Sequence, residues 1–299
     1  MAGEIMSAVP IPIDRSISPG ALWTTFRITL HGLLQWRRIL VLLFLALLPL
    51  LVVFFFRAFG AQNIRVTPLY QAYLRIEFMT VMVYYSSVVI PITILLFASG
   101  IIRDEQENQT LTYLLLSPIP RWALYLSKLL AAFLVAWVLV SVCMAAVMFC
   151  IWTGAETSAP HHWVTRWLAL LPATAMLIVA NGGFFGLISV LLHPSLLVGV
   201  VYIALFEVFL ANYEFVLRKF TGVHYFQCIV INWIGKQFES PDGYSRSMMS
   251  PPWQLANEKI IPETQECVIT LLSVFLVTTL LAMYFFTKKE YRLKTPEGN

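Results

Sequence analysis

The sequence predicts an all-α polytopic membrane protein. Six transmembrane helices are expected, with an N-terminal interfacial amphipathic helix ahead of them and short extracytoplasmic helices before the last span. Three observations carry this. Of the 299 residues, 59% are hydrophobic and 12% are charged, about half the charged share of an ordinary soluble domain. The mean hydropathy of +0.76 is more than one water-soluble core can absorb. The apolar residues also gather into runs that reach the ~20 residues needed to cross a bilayer. A soluble all-α domain is the alternative, and the composition disfavours it. The net charge of +4 is small, and no basic cluster is interleaved with aromatics, so nucleic acid is not an expected partner.

Residues 1–38 read as a cytoplasmic lead-in and an interfacial helix. Pro10 and Pro12 keep the start extended, and Ser18-Pro19 supplies an N-cap and a first-turn proline. Leu22, Trp23, Phe26, Leu30, Leu33 and Leu34 share one helical face, and Thr24, Arg27, His31, Gln35 and Arg38 share the other. This pattern predicts a helix lying on the lipid bilayer; the alternative is a helix packed on a soluble partner.

The six-helix domain occupies residues 39–286. Its first span, 39–56, has no charge and follows Arg37-Arg38, which favours a cytoplasmic start. A cleaved signal peptide ending at Ala58-Phe59-Gly60 is the rival, and the long region ahead of the apolar run argues against it. Residues 57–77 are mixed in character. The second span covers 78–102, with Pro91 as the expected kink. The third, 123–152, ends at Trp152, whose ring suits the headgroup layer.

Residues 153–166 form a polar connection. Its adjacent His161 and His162 do not by themselves close a metal site, and no metal is expected. The fourth span, 167–192, contains Asn181-Gly182-Gly183, a notch where another helix can approach. After the turn at His193-Pro194-Ser195, the fifth span, 196–217, carries Glu207 near its middle. The outer region, 218–266, holds Tyr225-Phe226 and Ile229 to Trp233, pieces too short to cross a bilayer, so re-entrant or surface helices are expected. The sixth span, 267–286, leads into a basic tail, 287–299.

Six spans place both termini on one side. Arg37-Arg38 and Lys288-Lys289 make that side the cytoplasm, so the chain reads as a multi-pass protein of the cell membrane. Of the four cysteines, Cys143 and Cys150 sit inside a span as small packing residues. Cys228 and Cys267 both fall on the outer side, where pairing is open to them.

No catalytic constellation and no phosphate-binding loop is present. Gly235-Lys236-Gln237 lacks both the earlier glycine and the hydroxyl that such a loop needs. The chain is therefore read as a non-enzyme with no cofactor of its own. Glu207 stands out, because an ionised carboxyl at bilayer depth costs roughly 3 kcal/mol unless it is protonated or paired. With Asn181 it is the candidate for a transport path or gate; the plainer alternative is a carboxyl tied to a neighbouring hydroxyl or amide for packing.

The remaining polar stretch, 103–122, separates the second and third spans. Asp104, Glu105 and Glu107 suit a helix N-terminus, and Leu111, Leu114 and Leu115 form an i, i+3, i+4 stripe that fits a partner's groove. Packing on the chain's own spans is the alternative.

Residues 105–128, EQENQTLTYLLLSPIPRWALYLSK, resemble the signature of the ABC type-2 export permeases. That family carries an acidic segment, a Gly-Thr-Leu, a leucine pair, a Pro-x-x-Arg turn and a Gly-Lys step. Thr110-Leu111, Leu114-Leu115, Pro118 with Arg121, and Ser127-Lys128 take these places, while Gln109 stands where glycine is common. The resemblance implies a permease subunit paired with a second copy or a related chain. It also implies cytoplasmic ATPase subunits that bind ATP and Mg and dock on this stretch. The implied function is export driven by those subunits. A proton-coupled carrier using Glu207 and a non-transporting membrane scaffold or sensor are the alternatives.

Overall fold

The computed structural model describes residues 19–60, 69–107, 120–153, 163–192, 194–212, 216–234 and 262–288. Every regular element among them is helical. Among the described residues, five helical segments are long and apolar enough to cross a membrane: Trp36–Ala58, Ala72–Gly100, Arg121–Trp152, Trp163–Leu191 and Thr264–Lys288.

The chain opens with α1, Pro19–Leu33, whose first residue is the expected proline. Leu33 is buried, and Phe26 and Leu30 pack against the core. Trp23 and Leu34, assigned to the same face by periodicity, are exposed. The helix lies against Arg121–Trp152, so its apolar stripe is divided between the chain's own bundle and the surroundings.

Proline punctuates the first two crossing segments. The first is built from α2, Trp36–Leu47, and α3, Pro49–Phe55, with a break at Leu48. Pro49 lacks the N–H that would continue the ladder. A π turn, Phe56–Gly60, closes the segment. The second crossing segment comprises α4, Leu69–Met79, a ten-residue π stretch, Thr80–Val89, and α5, Ile90–Glu107. Pro91 sits just past the π stretch, and such widened turns form where a proline ring displaces a preceding carbonyl. The Met82 carbonyl in that stretch accepts from Gln227 Nε2 at 2.9 Å and from the Ser86 hydroxyl.

Next come α6, Arg121–Trp152, and α7, Trp163–Leu191. The chain then runs through α8, Ser195–Tyr202, a π stretch, Ile203–Phe209, and a 3-10 turn, Leu210–Asn212. This apolar helix, Ser195–Phe209, is shorter than the five crossing segments. After a second 3-10 turn, Val216–Phe220, come α9, Gly222–Ile234, and α10, Thr264–Lys288.

The bundle is centred on α7, which packs against α5, α6, α8, α9 and α10. Small residues make this possible. A Cβ on Gly183 would come 2.7 Å from Thr278 Oγ1 of α10, and one on Gly182 would run into the Phe133 ring of α6. The notch read from Asn181-Gly182-Gly183 is thus where two helices close on α7 at once.

Side-chain contacts fix which helix ends lie together. Arg121 donates from Nη1 to the Thr287 carbonyl at 3.2 Å, joining the start of α6 to the end of α10. Arg57 donates to the Cys150 and Ile151 carbonyls at 2.6 and 3.1 Å and to Thr153, joining the end of the first segment to the end of α6. One end of the bundle therefore holds the starts of α4, α7 and α10, and the opposite end holds the starts of α2, α6 and α8.

The outward surface is apolar. Leu40, Val41, Phe44, Leu51, Val52 and Phe54 of the first segment are exposed, as are Ile269, Leu272, Leu276 and Leu280 of α10. Two helices that cover so little of themselves need lipid or another membrane chain around them.

Candidate functional site

Two carboxylates, Glu77 and Glu207, are fully enclosed, each 0% exposed. They mark two polar centres of the bundle.

Glu77 lies on α4, one turn before the π stretch. Arg166, in the first turn of α7, meets it two-handed: Nε to Oε1 at 2.9 Å and Nη2 to Oε2 at 2.7 Å. The Trp152 indole N–H at the end of α6 donates to Oε2 at 2.7 Å. The Arg166 guanidinium also lies over the Trp152 ring, 5.3 Å from its centre. Three helix ends are thus tied by one bidentate, charge-assisted set. Arg57 completes this end by placing a cation on the carbonyls that end α6, where the helix dipole favours it. The chemistry is that of a fixed clamp.

Glu207 lies in the π stretch after α8. It accepts from the Val223 backbone N–H at 3.2 Å and from the Tyr202 hydroxyl at 3.3 Å. The carboxylate therefore sits on the N-terminus of α9, where free N–H groups and the helix dipole suit an anion. Tyr202 is held in place by rings, stacked on Phe206 at 5.0 Å and against Phe184 at 4.6 Å.

Asn181 joins this centre from α7. A Cβ on Gly222 would lie 2.9 Å from Asn181 Oδ1 and 3.7 Å from Glu207 Oε1. Only glycine lets the start of α9 approach so closely. Asn181 is 4% exposed, and its Nδ2 has no hydrogen-bond partner among the described residues. Buried donors are nearly always satisfied, so this amide is an exception within the same centre as the carboxylate.

The direction of α9 follows from its two ends. Gly222 lies beside Leu177 and Asn181, midway along α7, and Asn232, near the other end, donates from Nδ2 at 3.1 Å to the Pro262 carbonyl just ahead of α10. The helix thus starts in the middle of the bundle and rises toward the end where α10 begins.

The two residues named for a path or gate, Glu207 and Asn181, are brought together by Gly222. The docking residues are placed less fully. Asp104, Glu105 and Glu107 fall in the last turns of α5, not at the helix N-terminus expected for them, because the helix of the second crossing segment continues through these acids to Glu107. Thr110, Leu111, Leu114, Leu115 and Pro118 lie outside the described residues, as do His161 and His162. Arg121 begins α6 and bonds to α10, while Lys128 is buried at 3% exposure, one turn or more inside α6.

Sequence reasoning misses Glu77, Arg166, Arg57 and Tyr202. Glu77 and Arg166 each close a polar connection immediately ahead of a span. Two opposite charges ahead of two spans that enter from the same side form a pairing signal that the sequence does carry.

No curated protein matches the chain. The family model for the ABC-2 family transporter protein matches residues 34–211, more than half of the 299, from the start of the first crossing segment to the turn after the Glu207 stretch. The match takes in Glu77, Arg166, Asn181 and Glu207. The chain belongs to the ABC-2 family of transporter proteins.

Proposed function

We propose that this chain is the permease subunit of an exporter, with separate cytoplasmic ATPase subunits supplying the energy. The family match carries the transport role. No phosphate-binding loop is present in the sequence, so nucleotide is bound by a partner chain. Six crossings are proposed, the shorter Ser195–Phe209 segment counting as the fifth with the turns after it. Both termini then face the cytoplasm. A second copy or a related chain completes the pathway against the lipid-facing surface.

The ATPase docks on residues 103–122. The support is positional: α5 ends at Glu107 and α6 begins at Arg121, so this segment leaves and re-enters at the end where Arg121 is tied to the end of α10. A push there is passed to α5, α6 and α10 together. ATP-driven closure of the ATPase pair would rock these helices. Glu207 and Asn181 gate the path at the start of α9.

Co-purification with the cognate ATPase and transport in liposomes test this reading. The double change Leu111→Asp with Leu114→Asp is expected to abolish both assembly and ATP-dependent flux. Unchanged assembly and flux would remove the docking role.

A further inference from the structure

Cys228 and Cys267 come from distant parts of the chain and meet in the interior. Cys228 is on the buried face of α9 and Cys267 in the first turn of α10, and both are 0% exposed. Both are free thiols in the structure, and they lie on either side of the α9–α10 contact: Asn232, one turn after Cys228, donates from Nδ2 at 3.1 Å to the Pro262 carbonyl that Cys267 Sγ approaches. Around them, Cys228 Sγ is 3.9 Å from the His224 ring nitrogens, and Cys267 Sγ is 3.9 Å from the Pro262 carbonyl. No set of three His, Cys, Asp or Glu side chains among the described residues is arranged to hold a metal, so the pair's accessible chemistry is with each other. The other cysteines, Cys143 and Cys150, lie on α6, within a crossing segment.

We propose that Cys228 and Cys267 form a disulfide that staples the re-entrant α9 to the start of the last crossing helix. The proposal rests on the orientation with both termini cytoplasmic, which sets this end of the bundle in the extracytoplasmic compartment, where disulfides persist. The oxidant is the disulfide of a thiol–disulfide oxidoreductase in that compartment, acting before α9 closes over the pair. The thiolate of one cysteine attacks that disulfide, forms a mixed disulfide and releases one thiolate of the oxidoreductase. The second cysteine, as thiolate, then attacks the mixed disulfide and releases the other. Two protein thiols become one cystine, and the oxidoreductase takes up both electrons and both protons as two thiols.

The staple fixes the helix whose first residues hold Glu207. Because α9 starts at mid-bundle and carries Cys228 one and a half turns later, locking that turn to α10 locks the depth of Gly222.

The test uses the full-length protein in membranes from aerobically grown cells, quenched in acid and denatured in N-ethylmaleimide with or without prior reduction. Peptide mass spectrometry is expected to find Cys143 and Cys150 alkylated without reduction, a cross-linked peptide pair joining Cys228 to Cys267, and all four alkylated after reduction. In Cys228→Ser, Cys267 is expected to become alkylated without reduction. A reporter fused after Asn299 reads orientation independently. Four alkylated cysteines with a cytoplasmic reporter would overturn the staple itself. Four alkylated cysteines with an extracytoplasmic reporter would overturn the orientation and the staple with it.

Discussion

Glu77 and Glu207 are equally enclosed, yet they are held in opposite ways. Glu77 has a guanidinium bound through two hydrogen bonds and an indole N–H besides. Glu207 has a hydroxyl and a backbone N–H, with none of its described hydrogen bonds coming from a cation. A charge matched by a charge has one low-energy arrangement, and it fixes three helix ends. A carboxylate held by a helix N-terminus and a phenol can exchange those partners at modest cost. The first centre is suited to holding helices together and the second to releasing one.

The comparison breaks most sharply at Arg166. Arg166→Met leaves Glu77 buried without its cation, and losing one member of a buried pair costs about 3–5 kcal/mol. A large fall in thermal stability in detergent is expected. Removing both charges in Glu77→Gln with Arg166→Met is expected to restore most of it, because two neutral side chains need no mutual compensation. A single variant as stable as the parent would show that the clamp is not what ties these ends.

Glu207 should respond more mildly and more informatively. Glu207→Ala removes the acceptor for Val223 and Tyr202, costing about 1–3 kcal/mol for donors left buried. Glu207→Gln keeps an acceptor oxygen, so a loss of less than about 1 kcal/mol is expected. In liposomes, ATP-driven flux of Glu207→Gln should stay near the parent's. A flux that instead follows a proton gradient in the parent and disappears in Glu207→Gln would favour the proton-coupled carrier.

These two centres also differ in how far the sequence discloses them. Glu207 stands out because it interrupts an apolar run, and membrane burial makes one carboxyl there expensive. Asn181 stands out beside two glycines. Their meeting is hidden in the sequence, since it depends on Gly222, an ordinary-looking residue at the start of a helix too short to cross. Glu77 and Arg166 are hidden differently. Each lies in polar sequence at a span boundary, where charge is ordinary, and hydropathy alone places Glu77 outside its helix. The continuous α4, beginning at Leu69, is sustained by packing, which hydropathy does not register. The helical class and the membrane-crossing lengths are legible because they follow from composition and run length, whereas charge pairing follows from three-dimensional contact.

A smaller effect is expected at Arg57, where the clamp end meets the helix dipole. Arg57→Gln keeps hydrogen-bond donors to the end of α6 but removes the charge. The expected loss is about 0.3–1 kcal/mol, read as a modest fall in melting temperature. A loss as large as that of Arg166→Met would mean that Arg57 also neutralises part of the Glu77 centre.

The finest test is Asn181→Ala, which removes the amide and adds no bulk against Gly222. Asn181 Nδ2 is buried and has no described partner, so in this state the amide contributes desolvation cost without a bond to offset it. Replacing it should leave stability within about 1 kcal/mol of the parent. Transport is the discriminating measurement. If Asn181 meets its acceptor only when α9 shifts or cargo passes, flux falls while stability holds. If Asn181 instead binds Glu207 in the resting state, stability falls as well, and the contrast between a carboxylate matched by a cation and one held by neutral donors narrows.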